Sequence, residues 1–236
     1  MAIKLYVVNA SHPCAAVSKA LELKGLDYKV REWPPPFHTV AQKLLFGQRT
    51  VPGIKLDGEK IVGSLPIMRA LDARVPEPRL FTDDPEVAVA AQWGDGDFQQ
   101  LARDVLWAGF KHTPAALVSY TEHSRIPLPA PIVRINAPLI IRAQQGLNKT
   151  NDEVGARRLQ ELPAQLDKVD AWIAAGTIGD AEHPNAADLE ILATVRLLST
   201  VGDVRPLLDG RPCDKAAREL FPQYDGDLPA GALTAA

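Results

Sequence analysis

Cysteine is scarce in this chain: 2 among 236 residues, Cys14 and Cys213, far apart in sequence. That excludes a disulfide framework and a paired-cysteine zinc site, and it fits a reducing compartment. Long apolar runs are absent too. No stretch reaches the roughly 18 consecutive apolar residues of a membrane helix, and MAIKLYVVNA lacks the charged start and long apolar run of a signal peptide. A soluble cytoplasmic protein, with no membrane partner, is the expectation. Excess positive charge is also missing: Lys+Arg 26 stand against Asp+Glu 29, for a net charge of -3, so nucleic acid is not an expected partner. Neither GxGxxG nor GxxxxGK[ST] occurs, which removes the common dinucleotide and nucleotide loops. His38, His112, His123 and His183 form no metal-ligand spacing with carboxylates, and no metal is expected.

What is present is 46% hydrophobic residues, ample for one large core or two modest ones. IKLYVV, Ile3 to Val8, is β-rich and nearly all apolar, as a buried strand should be. PCAAVSKALELKG then takes up helical period, with Val17 and Leu21 on one face and Gly25 as its stop signal. DYKVREW alternates like a second strand, which the right-handed crossover rule makes parallel to the first. PPP, residues 34–36, forbids regular structure before a short helix around Val40 to Phe46. Ile54 to Leu56 and Lys60 to Val62 are short strands joined by Asp57-Gly58-Glu59, which is hairpin chemistry. Ser64 stands where it can cap the next helix, and Pro66 is tolerated in that helix's first turn. Residues 1–75 therefore read βαβ, helix, ββα, followed by the proline-punctuated PEPRLFTDDP, Pro76 to Pro85, as a linker.

From residue 86 to 236 the period is helical almost throughout. Leu159, Leu162, Leu166, Val169 and Ile173 mark one amphipathic helix with a kink expected at Pro163. NAADLEILATVRLL offers Asn185 as a cap, Asp188 three residues on, and an apolar density that suits a central buried helix. RIPLPAPIVRINAPLI, with prolines at 127, 129, 131 and 138, reads as an irregular segment leading to another helix.

Four stretches in register, SHPC, TVPGIKLDG, GSLPIMRAL and NAADLEILA, together resemble the soluble glutathione transferase superfamily. The resemblance implies a thioredoxin-like α/β domain followed by an all-helical one, glutathione as co-substrate, a small apolar electrophile bound between the domains, and a homodimer. It also implies detoxifying transferase activity of a serine-type class, resembling delta, theta or zeta enzymes. The implied site falls on matching residues. Ser11 stands where those classes place the hydroxyl that holds the thiolate. Val51 precedes Pro52, whose bond the resemblance makes cis, leaving the Val51 backbone free to pair with an extended peptide. From spacing alone a cis bond would be no commoner here than at any X-Pro. Ser64, at a helix N-terminus, matches the binding position for the γ-glutamyl carboxylate. Arg49 matches the basic residue that meets the glycine carboxylate. Gly63 departs from the pattern, since relatives carry Glu or Gln there.

Three neighbours in the SHPC turn leave the chemistry open. Read without the resemblance, Ser11 is a helix-capping serine and Cys14 a small buried hydrophobe. Cys14 can instead be reactive through the helix dipole, giving a thiol-disulfide oxidoreductase as the alternative activity, and His12 can serve as acid or base or line the pocket. A non-catalytic binding protein on the same fold is the third reading. Trp93, Phe98, Leu101, Trp107 and Phe110 are candidates for an apolar pocket wall, while Asp95 and Asp97 are candidates for meeting the γ-glutamyl amine in place of the residue missing at 63.

Overall fold

The computed structural model describes residues 1–34 and 37–233. Two prolines of the PPP run, Pro35 and Pro36, lie outside those residues. Four strands make one sheet in the order β2-β1-β3-β4: β1 Ile3–Val7, β2 Lys29–Glu32, β3 Gly53–Leu56 and β4 Glu59–Val62. β1 pairs parallel to β2 and antiparallel to β3, which is itself antiparallel to β4. The crossover between β1 and β2 is α1, His12–Leu23, which starts with Pro13 in its first turn and stops at Gly25, whose φ of 60° few other residues adopt. Asp57 and Gly58 both have positive φ, the backbone that a two-residue turn needs to follow strand twist. α2 covers His38–Phe46 and α3 covers Ser64–Arg74. This is the thioredoxin-like α/β arrangement followed by a helical domain.

The cap of α3 differs from the sequence reading. Gly63, at φ 96°, is the capping residue, and Ser64 is the first residue inside the helix with its hydroxyl turned elsewhere. Between α3 and the next helix, Lys24 reaches across from the end of α1 to the carbonyls of Val75 and Pro78 and to Asp72 at 2.7 Å. Asp72 in turn accepts the amides of Leu80 and Phe81, so the connection is pinned along its length.

The helical part begins with α4, Pro85–Trp93, capped by Asp84. It runs through one π-helical stretch, Gly94–Phe98, into α5, Gln99–His112. Gly94 sits in the π segment because a side chain there would meet Ile191 at 2.9 Å. A 3-10 stretch, Pro114–Thr121, leads to α6, Ala130–Asn148; the irregular lead-in ends at Pro129, so the helix begins inside the segment expected to be irregular. Pro131 falls in the first turn, where no amide donor is required, and Pro138 is carried inside the helix. α7, Asp152–Ala174, runs unbroken through Pro163. α8, Ala186–Leu198, carries the full reciprocal cap between Asn185 and Asp188 and buries every residue but Arg196. α9, Arg205–Leu208, and α10, Pro212–Leu220, precede an extended tail that makes a single parallel bridge, Leu228 with Val201. Among the described residues no helix is long and apolar enough to cross a membrane.

Candidate active site

A cavity of about 390 Å³ opens where the β1–α1 turn faces α5, α6 and the 3-10 stretch. The first domain contributes Ser11, His12, His38, Arg49 and Val51; α5 contributes Gln100, Arg103, Trp107 and Phe110 from one face at three- and four-residue steps. Tyr120, Ile140, Leu147 and Leu197 close the apolar end.

Ser11 caps α1 by backbone position alone: its carbonyl accepts from Ala15 at 2.9 Å, while its hydroxyl makes no capping bond. The hydroxyl binds no helix amide among the described residues; its partner is the Cys14 thiol, and it stands at the positive end of a 12-residue helix. Cys14, one turn on, is 4% exposed and does not line the cavity. Burial pushes its thiol up to about 11, overriding the bonds from Ser11 and Val8 that pull the other way. His12 is buried with Nε2 unpartnered, and burial followed by the nearby Arg103 charge holds it well below its ordinary value, hence neutral. His38 is lowered to about 4 by burial alone.

Val51 joins Pro52 through a cis bond and borders the cavity. Among the described residues neither its amide nor its carbonyl is paired, whereas Thr50 on one side accepts from Gln42 and Pro52 on the other from Gly63. Arg49 is exposed at the rim with no ion-pair partner among the described residues. Gly63 and Ser64 lie outside the cavity wall. The Ser64 hydroxyl, 1% exposed, meets Asp95 at 3.1 Å and Glu190 at 3.0 Å. Gly63 cannot take a larger residue freely, since its φ of 96° disfavours any L side chain and an added Cβ would sit 3.3 Å from Pro66.

Asp95 reaches Ser64 from the π segment, and burial raises its carboxyl; Asp97 is exposed. Glu190 of α8 is buried completely, accepts from Gln99 at 2.5 Å, and is pushed well above the usual carboxylate range by burial first and Asp95 second. Of the five apolar candidates, Trp107 and Phe110 reach the cavity. Trp93 stacks on Phe98 at 4.6 Å and meets Trp172 at 5.2 Å, and Leu101 lies in the core. Sequence reasoning missed Gln100 and Arg103, although their spacing with Trp107 and Phe110 marks one helix face. Arg103 is mostly buried, bonds only the Gln99 and Gln100 side-chain oxygens, and has no carboxylate within 4.0 Å among the described residues. No group of three or more potential metal ligands occurs among the described residues.

Residues 5–79 match the family described as "Glutathione S-transferase, N-terminal domain". Over 122 residues the chain is 36% identical to a mouse maleylacetoacetate isomerase, a match that covers 39% of this chain and 54%, about half, of that protein. Two solved structures share the fold at low identity. A β-etherase from Sphingobium sp. strain SYK-6 superposes with a TM-score of 0.64 at 21% identity, covering 93% of this chain and 99% of the other. A bacterial zeta-class maleyl pyruvate isomerase gives 0.54 at 20%, covering 91% and 89%.

Proposed function

We propose, from the match of residues 5–79 to the glutathione S-transferase N-terminal domain, that the chain is a cytoplasmic, homodimeric, serine-type member of the soluble glutathione transferase superfamily. Its reaction joins the glutathione sulfur to a small apolar electrophile. The observation that carries this reading is the place of Ser11, on the cavity wall at the N-terminus of α1 with its hydroxyl free of capping duty.

The residues fit glutathione at two of three points. Arg49 at the rim suits the glycine carboxylate, and the unpaired Val51 backbone before cis Pro52 suits the central peptide as an added strand. At the third point the Ser64 hydroxyl already serves two carboxyls and the Gly63 amide is given to the Pro52 carbonyl, so what is left for the γ-glutamyl carboxylate is the Ser64 amide at the start of α3. When bound, glutathione supplies the thiol nucleophile. Ser11 donates a hydrogen bond to sulfur, which with the helix N-terminus favours the thiolate. Trp107, Phe110 and Leu197 exclude water from the second substrate and orient it. In this reading residues 1–75 form the glutathione-binding domain and residues 86–236 the electrophile side, joined by 76–85.

Arg103 favours a second reading on the same site. A mostly buried guanidinium on the cavity wall, with Asp95, Asp104 and Glu190 near enough to act on it but none within ion-pair distance among the described residues, suits a substrate carboxylate, as in a glutathione-dependent isomerisation. The mouse relative is named as an isomerase of maleylacetoacetate. Use of Cys14 as a redox nucleophile has the least support, given its burial and raised thiol.

Calorimetric titration with glutathione and with S-hexylglutathione tests the proposal. Both should bind, the second more tightly through the apolar wall. Absence of binding by either would leave a non-catalytic role for the fold.

A further inference from the structure

The tail beyond α10 takes no part in the proposed chemistry, yet it reaches the turn that carries Ser11. Arg196 of α8 holds its start, donating to the Phe221 carbonyl at 2.9 Å, with its guanidinium 5.9 Å from the Tyr224 ring. Farther on, the Leu228 amide donates to Thr200 at 2.9 Å and its carbonyl accepts from Gly202 at 2.7 Å. Asp203 accepts the amides of Gly231 and Leu233. Between these anchors Tyr224 donates its hydroxyl to the Ala10 carbonyl at 2.9 Å, and Asp225 accepts from the Asn9 side-chain amide at 2.6 Å. The same Asn9 amide also donates to the Tyr120 carbonyl at 2.9 Å. His123 supports Asp225 through its amide at 3.3 Å and its ring Nδ1 at 2.6 Å.

We infer that Tyr224 and Asp225 are positioning residues for Ser11, splinting the β1–α1 turn so that the serine is held in place on the cavity wall. The Ala10 carbonyl belongs to the same rigid peptide plane as the Ser11 amide, so a bond on that oxygen fixes the rotation of the plane. Ser11 then inherits its direction. Ala10 needs such a restraint because its φ of 55° lies in the left-handed region that residues with a Cβ seldom occupy. Asn9, pinned by Asp225 and Tyr120, fixes the residue before it. Burial holds the Tyr224 hydroxyl well above its ordinary value, so it remains a donor at any working pH.

The inference rests on the proposed role of Ser11, and its test separates the two. Tyr224→Phe keeps the ring and removes one hydroxyl; Asp225→Asn keeps the shape and removes the charge. Three quantities are measured: amide exchange of residues 8–14 in the ligand-free protein, the pKa of bound glutathione by ultraviolet thiolate absorbance, and kcat with KM. Both variants should exchange faster over Ala10 to Cys14 than the parent. Tyr224→Phe should lower kcat by about two- to ten-fold, as one lost hydrogen bond allows, raise the bound thiol's pKa, and leave KM for glutathione unchanged. On a Ser11→Ala background it should add nothing. Parental exchange and parental thiol pKa in Tyr224→Phe would overturn the inference, as would an equal kcat loss with and without the serine hydroxyl. If Ser11→Ala alone leaves the bound thiol unshifted, the catalytic proposal falls; exchange rates then decide the splint by themselves, faster turn amides supporting it and unchanged ones overturning it.

Discussion

Replacing Cys14 by alanine separates the two activities the SHPC turn suggests. A thiol pushed up to about 11 is ionised in about one molecule in ten thousand at pH 7, against a few per cent for an ordinary thiol. Alkylation of Cys14 by iodoacetamide at pH 6 to 7 should therefore be at least about a hundred-fold slower than that of a free thiol, and 4% exposure slows it further. Stability carries the same signature. The folded thiol titrates above the unfolded one, near 8.5, so above that pH the unfolded chain loses its proton first and folding becomes less favourable. At about 1.4 kcal/mol per unit, the parent loses about 3 kcal/mol by pH 11 through this group. Cys14→Ala removes that loss while costing on the order of 1 kcal/mol in packing at neutral pH. Urea unfolding should find the parent more stable at pH 7 and the variant more stable near pH 10.5. Conjugation turnover should barely change. A stability difference independent of pH, or rapid labelling of Cys14 at pH 6 located by peptide mapping, would refute the reasoning and revive the redox activity.

Arg49→Ala should weaken glutathione binding by roughly 1.5–3 kcal/mol, the range for a hydrogen bond to a charged group, measured by calorimetry; parental affinity would rule out the proposed ligand orientation. Asp188→Ala removes acceptors for the Asn185 amide at 2.9 Å and the Gly179 amide at 2.5 Å, and should cost about 2 kcal/mol in urea unfolding with little effect on KM. Gly226→Ala would place a Cβ 2.3 Å from the Tyr120 ring at a φ of 124°, so proteolysis should reach the tail sooner than in the parent. Light scattering at micromolar concentration should give twice the 25.6 kDa of one chain.

Local chemistry made much of this architecture legible. The period change from IKLYVV to the α1 stretch, the Asp57-Gly58 turn and the Asn185–Asp188 cap are each decided within a few residues, and each stands where the pattern puts it. Proline misled where position within the helix mattered more than presence. Pro131 starts α6 and Pro138 rides inside it, because neighbouring packing outweighs one missing donor. Ser64 looked like a cap, but two carboxyls from distant segments, Asp95 and Glu190, claim its hydroxyl. Contacts such as Tyr224 with Ala10 join opposite ends of the sequence and leave no periodic trace in it.

The almost wholly buried α8 has a consequence for how the protein unfolds. It packs against α1 of the first domain as well as α4, α5 and α10 of the second, so neither half keeps its apolar surface covered without the other. Pulling the α/β unit away would uncover buried apolar surface on α1 and on α8 in the same event. Melting should accordingly be a single concerted transition seen alike by tryptophans of the helical part and by amide exchange in the sheet. A cut between the two halves would then yield two aggregating fragments rather than two working modules.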